Sequence, residues 1–178
     1  FIEQLITEIP KDGETPLKDA FVSHLDELID PSIIYDGSYR AVEWPCGDAP
    51  AEIGVCADVV VRAFLKVDIC LQRDIRLHRR VNGLPVDPNI DHRRVRNIGP
   101  YLVDMGFKIK HKGEHTKLLK GDIIWFKMPG NLDHIAIAME DGVQHGQPPK
   151  VLHNIGYGQV VDRQPWTYEV YEIYRINK

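Results

Sequence analysis

Cys56 lies in Gly54-Val55-Cys56-Ala57-Asp58-Val59-Val60-Val61-Arg62-Ala63-Phe64, a thiol just ahead of an apolar run with helical spacing. The pattern predicts a cysteine at a helix N-terminus, where unpaired N–H groups and the positive end of the helix dipole favour thiolate over thiol. Seventy-eight positions later, His134 heads the alternating segment Leu132-Asp133-His134-Ile135-Ala136-Ile137-Ala138-Met139. A thiol and an imidazole together predict nucleophilic catalysis, the imidazole taking the thiol proton and later delivering it to a leaving amine. A third group must orient that imidazole, and His153 in Val151-Leu152-His153 and the adjacent Asn154 both suit the task. The two-residue alternation of a strand favours His153, because a Leu152 facing the core sends its neighbour to the opposite face.

The other reactive residues carry blander expectations. Cys70 reads as a small apolar core residue, the usual fate of a free cysteine. Cys46, between Pro45 and Gly47, lies in a turn where it pairs, binds or does nothing. Three cysteines leave at least one thiol free, so a disulfide framework is not the organising principle. Asp58 is expected to support the helix dipole from the first turn. His92, His134, His145 and His153 with Cys56 are the raw material for zinc, but no Cys-x-x-Cys or His-Glu-x-x-His spacing supports it, so neither metal nor cofactor is expected.

The elements that must position these groups fall in a definite order. Helical periodicity covers Phe1 to Ile9 and Pro16 to Ile29, with Thr15-Pro16 as cap and first-turn proline. Asp30 to Pro50, rich in Pro, Gly and aromatics (Tyr35, Tyr39, Trp44), reads as a long ordered loop or short strand. Helices follow at about Val55 to Val67 and at Asn97 to Met105, with a loop-rich excursion between them. Strands are predicted at Phe107–His111, Asp122–Met128, His134–Glu140, Lys150–Asn154 and Thr167–Arg175, separated by turns at Lys120-Gly121-Asp122, Pro129-Gly130-Asn131 and Asp141-Gly142. Helices first and an antiparallel meander second make an α+β domain, the nucleophile helix packed on the sheet.

Composition narrows the class. With 178 residues, 43% hydrophobic and 27% charged, the chain suits one domain over residues 1–178, with a helical N-terminal segment to residue 29 and a core from residue 30. A net charge of −4 argues against a nucleic-acid partner, although Asp91-His92-Arg93-Arg94-Val95-Arg96 is locally basic. No apolar run is long enough to span a bilayer, and the start at Phe1 without a signal pattern reads as a processed product.

The order Cys56 at a helix start, Leu118-Leu119-Lys120-Gly121-Asp122-Ile123-Ile124-Trp125-Phe126, His134-Ile135-Ala136-Ile137-Ala138, then Val151-Leu152-His153 resembles the NlpC/P60 cell-wall peptidases, a papain-like superfamily, over roughly Tyr35 to Asn154. Tyr35-Asp36-x-Ser38-Tyr39, Gly54-Val55-Cys56, Asp87-x-Asn89-Ile90-Asp91-His92-Arg93-Arg94-Val95 and His153-Asn154-Ile155-Gly156 are similar to one bacterial branch known mainly as a domain of unknown function. Val55 and Ala57 depart from the common pattern of Asp before and Ser after the cysteine. The resemblance implies a Cys56–His134–His153 hydrolase of peptidoglycan stem-peptide amides, working through a thioester. The oxyanion donors would be the Cys56 N–H and Tyr39. Arg93 and Arg94 would hold substrate carboxylates, with Asp91 and Trp44 as further substrate-binding residues and the Asp91–Arg94 run equally readable as a structural ion-pair loop. The implied setting is periplasmic or secreted, either remodelling the owner's wall or delivered as a toxin with an immunity protein as partner, and the chain is expected to be a monomer. A wall-peptide or protein-binding module that has lost catalysis is the alternative.

Overall fold

The computed structural model describes residues 15–109, 115–165 and 167–177. The expected helix at Phe1–Ile9 and the end of the expected strand at Phe107–His111 lie outside them. Helix α1 (Leu17–Ser23) and a 3-10 turn (Leu25–Leu28) begin the described chain. The helix cap is Pro16 itself, one residue later than the Thr15 cap expected, with no side-chain hydrogen bond. This segment packs on the core: Phe21, Leu25 and Leu28 are buried, and the Phe21 ring lies 5.1 Å from that of Phe64.

Two very short strands, β1 (Ile34–Tyr35) and β2 (Ile53–Gly54), pair in parallel and bracket the aromatic loop. Helix α2 (Cys56–Leu65) follows β2 directly, and its residues Val59, Val60, Val61, Ala63 and Phe64 are all buried. Helix α3 (Leu71–Val81) occupies the stretch that reads as a loop-rich excursion. Its many Arg, Asp and His residues mask a narrow apolar stripe. Leu71, Ile75 and His78 still fall on one face at helical spacing and are buried, so packing overrides the polar average. A 3-10 turn (Asp91–Arg93) leads into α4 (Val95–Asp104). Within α4, Gly99 lets the helix press against the sheet, since a Cβ there would come within 2.7 Å of the Trp125 ring and of the Tyr174 hydroxyl.

The second half of the chain is a five-stranded antiparallel sheet of β3 (Ile123–Met128), β4 (Leu132–Ala138), β5 (Lys150–His153), β6 (Val160–Arg163) and β7 (Glu169–Tyr174), in the order β6-β5-β4-β3-β7. Four strands stand close to the expected positions. Strand β6 was not expected, and Lys108 makes only an isolated bridge to Tyr174 where a strand was. The α+β class therefore holds, with helices collected on one face of the sheet. That face, carrying Ile123, Trp125, Ile135, Ile137 and Leu152, shares a core with α2, α3 and α4, while Ile124, Phe126, Ala136, Ala138, Val151 and Ile173 form a second cluster on the other face.

A disulfide joins Cys46 to Cys70, correcting the expectation of Cys70 as an inert core thiol. Cys70 is indeed buried, but it ties the aromatic loop to the start of α3. The Gln72 side chain strengthens the same tie, accepting the Gly47 N–H at 2.8 Å and donating to the carbonyls of Glu43 and Pro88. Cys56 is left as the one free thiol of the chain's three cysteines.

Candidate active site

The sequence around Cys56 builds its own pedestal. Asp58, at the third position of α2, accepts the Val55 N–H at 2.6 Å and so caps the helix that Cys56 opens. Arg93 grips the same carboxylate with two parallel 2.8 Å hydrogen bonds, and its Nη2 also donates to the Asp36 carbonyl at 3.1 Å. Both side chains are almost fully buried. Asp36 closes the frame, its N–H donating to the Gly54 carbonyl at 3.2 Å while its carboxylate takes the Ser38 N–H at 2.8 Å.

The sheet supplies the other half. Pairing between β4 and β5 is confined to Ile137–Leu152 and Ala138–Val151, so the two strands part below Ile137. The Cys56 thiol approaches β4 from the helix-covered face and takes a hydrogen bond from the main-chain N–H of Ile135, the residue after His134. His134 and His153 lie on the opposite face, as the burial of Ile135 and Leu152 among the helices requires. His134 Nε2 sits 3.1 Å from His153 Nδ1. His134 packs beside Phe126 and Tyr168, and His153 beside Tyr157. The thiol and the imidazole thus lie on the two faces of β4, at the adjacent residues Ile135 and His134.

Of the two groups proposed to orient His134, His153 makes the contact. Asn154 faces another way: its amide donates to the Gly54 carbonyl at 3.4 Å and its oxygen accepts the Gly156 N–H at 3.1 Å, steadying the strand that leads into Cys56.

The electrostatics correct one expectation. Burial, aided by the charge of Asp58, pushes the Cys56 thiol up to about 11, outweighing the N–H groups of Ile135, Ala57 and Cys56 that favour thiolate. The thiol is only 8% exposed, so the helix N-terminus does not prevail. Burial also holds His134 down to about 3, with His153 adding to the effect, and His153 down to about 4 despite the opposing charge of Asp162. At rest the thiol and the two imidazoles are all neutral.

The remaining expected residues are dispersed. Arg93 is a buried partner of Asp58 and not a clamp open to substrate. Asp91 is structural too, its carboxylate paired with Arg79 at 3.2 Å and accepting the Asp87 N–H at 2.6 Å. Arg94 is exposed. Trp44 is half-exposed with the Arg76 guanidinium 4.5 Å over its ring. Tyr39, 61% exposed, has its hydroxyl tied to Asn89 at 2.9 Å and Asp87 at 3.3 Å. The tyrosine nearest in effect to the thiol is Tyr35, whose phenol is pushed up by burial and further by Asp58 and by Cys56 once the thiol ionises. Its position follows from the β1–β2 pairing of Tyr35 with Gly54, a register the sequence does not display. Gln164, buried against His153, was also missed. Among the described residues no three His, Cys, Asp or Glu side chains gather as a metal site, and no helix is long and apolar enough to cross a membrane.

Residues 22–176 match DUF1287, described as a domain of unknown function. The chain belongs to the DUF1287 family. A relative is the uncharacterized protein YijF of Escherichia coli (strain K12), 32% identical over 141 residues, a stretch covering 74% of this chain and 68% of that protein. The DUF1287 match contains Cys56, His134, His153 and the Asp58–Arg93 pair. Neither description names an activity, so the chemistry rests on the geometry.

Proposed function

We infer that the chain is a papain-like cysteine hydrolase of amide bonds, with Cys56 as nucleophile, His134 as general base and acid, and His153 as the orienting group. The observation that carries this reading is the His134 Nε2–His153 Nδ1 contact of 3.1 Å on the strand whose next residue, Ile135, donates its N–H to the Cys56 sulfur. With Nε2 engaged by His153, Nδ1 is the nitrogen of His134 left for the thiol. As sulfur attacks the carbonyl carbon, the thiol proton passes to His134. The Cys56 N–H at the helix start supports the oxyanion, and Tyr35 is better placed than Tyr39 to help. His134 then gives its proton to the leaving amine as the C–N bond breaks. Water attacks the thioester, loses a proton to His134, and that proton returns to the sulfur as the acid departs.

The raised thiol and lowered imidazole support transfer of the proton during attack over a preformed thiolate–imidazolium pair. The resemblance to NlpC/P60 enzymes supports peptidoglycan stem peptides as the substrate. The Cys46–Cys70 disulfide supports an oxidising compartment such as the periplasm or the exterior. An immunity protein is a partner only if the chain is delivered as a toxin. A second reading, a binding module on the same fold, is favoured by the burial of the thiol, which leaves it little open to a substrate.

The deciding experiment is mass spectrometry of fragments released from purified peptidoglycan by the protein and by Cys56→Ala, with and without a chelator. Thiol-dependent, chelator-insensitive release of defined fragments supports the hydrolase and names its bond. Binding without release by the intact protein supports the module.

A further inference from the structure

Beyond the buried Arg93, the chain carries an arginine that does face outward. Arg96, in the first turn of α4, has a side chain 78% exposed and donates from Nε to Oδ2 of Asp133 at 2.6 Å. Lys127, paired with Asp133 across β3 and β4, donates from Nζ to Oδ1 of the same carboxylate. The Trp125 indole N–H reaches Oδ1 as well, at 2.9 Å. The Lys127 ammonium lies 5.2 Å from the centre of the Trp125 ring and 5.0 Å from that of Tyr171, and the two rings pack against each other.

Charge and position single this cluster out. Two cations share one carboxylate, so the group keeps a net positive charge. The two aromatic faces fix the Lys127 ammonium by cation–π contact. Arg96 spends only Nε on Asp133; among the described residues its Nη1 and Nη2 meet no acceptor, which leaves one edge of the guanidinium open to a second carboxylate. A cation in the first turn also opposes the dipole of α4, a cost that an exposed ion pair offsets only weakly. Asp133 and Ile135 are alternate residues of β4, so they face the same, helix-covered side about 7 Å apart along the strand. Ile135 is the residue that gives its N–H to the Cys56 sulfur. The cluster is therefore anchored on the thiol's side of β4, two residues from the thiol's own anchor.

We propose that Arg96 and Lys127, held by Asp133, form a subsite for a free carboxylate of the substrate peptide, close to the amide that Cys56 attacks. The choice of a wall peptide as ligand rests on the hydrolase reading, and the test measures binding apart from cleavage.

Affinity is measured by calorimetry in the Cys56→Ala background with a stem tetrapeptide bearing free carboxylates and with the same peptide carrying primary carboxamides in their place. The acid should bind about tenfold more tightly than the amide, the scale of one charge-assisted hydrogen-bonded contact. Arg96→Gln and Lys127→Gln should each narrow that ratio to below about threefold. Lys66→Gln, which removes an equal charge at the far end of α2, should leave the ratio as it is. With Cys56 present, Arg96→Gln should raise KM for the acid about tenfold and change kcat little, the pattern of binding lost equally from ground and transition states. Equal affinities for acid and amide, or no binding of the acid, overturn the subsite. So does a ratio that Arg96→Gln leaves unchanged or that Lys66→Gln lowers as much. Carboxylate-dependent affinity controlled by Arg96 and Lys127, in a protein that releases nothing from peptidoglycan, refutes the hydrolase and leaves the subsite standing. Release of fragments by a protein indifferent to the carboxylates does the reverse.

Discussion

Arg93 offers a sharp test because sequence and structure give it different jobs. Its side chain and that of Asp58 are about 1% and 0% exposed, joined by two 2.8 Å hydrogen bonds, and Asp58 also caps the nucleophile helix through Val55. Arg93→Met keeps most of the volume and strands the carboxylate in the interior. Removing one partner of a buried ion pair costs about 3–5 kcal/mol, since the remaining charge loses its compensation. For a chain of this size that lowers the melting temperature by on the order of 10 °C. Adding Asp58→Asn should recover most of the loss, because an asparagine can still accept the Val55 N–H and leaves no buried charge. The assay is urea and thermal unfolding of the two single variants and the double variant, treated as a double-mutant cycle. The reasoning is refuted if Arg93→Met unfolds within about 1 kcal/mol of the wild type while KM for released peptides rises. That outcome would return Arg93 to the cleft.

Further expectations follow from the same structure. Alkylation of Cys56 by iodoacetamide, followed by mass spectrometry, should be slow at neutral pH and accelerate up to about pH 11; a plateau below pH 8 would contradict the buried thiol. His92 and His153, held near 4, and His134, held near 3, stay neutral in the folded chain at pH values where the unfolded chain binds protons, so stability should fall as pH drops below about 6.5. Each contributes up to about 1.4 kcal/mol per pH unit, and the slope between pH 6 and 4 in urea titrations should flatten in His92→Asn by no more than that. Reducing the Cys46–Cys70 bond, which links residues 24 apart, should cost about 3 kcal/mol; identical unfolding midpoints with and without reductant would show that the loop is held by Gln72 and its neighbours alone.

Local pattern made much of the frame readable. The small residue before Cys56 and the apolar run after it specify α2 with the thiol at its head, and β3, β4 and β5 stand close to where alternation and the turns at Gly121 and Gly130-Asn131 placed them. Period two also put His153 opposite Leu152, a relation fixed by the backbone whatever the strand packs against. The charged helix α3 escaped because only two of its five buried residues, Leu71 and Ile75, are apolar, and only contact with the rest of the core reveals that stripe.

The site's electrostatics belong to tertiary structure for the same reason. A helix N-terminus favours thiolate by a modest local effect, whereas burial against β4 is a property of the whole assembly and outweighs it, leaving Cys56 protonated at rest. Arg93 reads as an exposed cation until Asp58, 35 residues away, takes it inside. Tyr35 comes near the thiol through the β1–β2 register, and Gln164 comes behind His153 through the pairing of β5 with β6. Sequence determined which residues have the chemistry and which elements carry them. Non-local pairing and burial decided which are charged, which are neutral, and which of them meet.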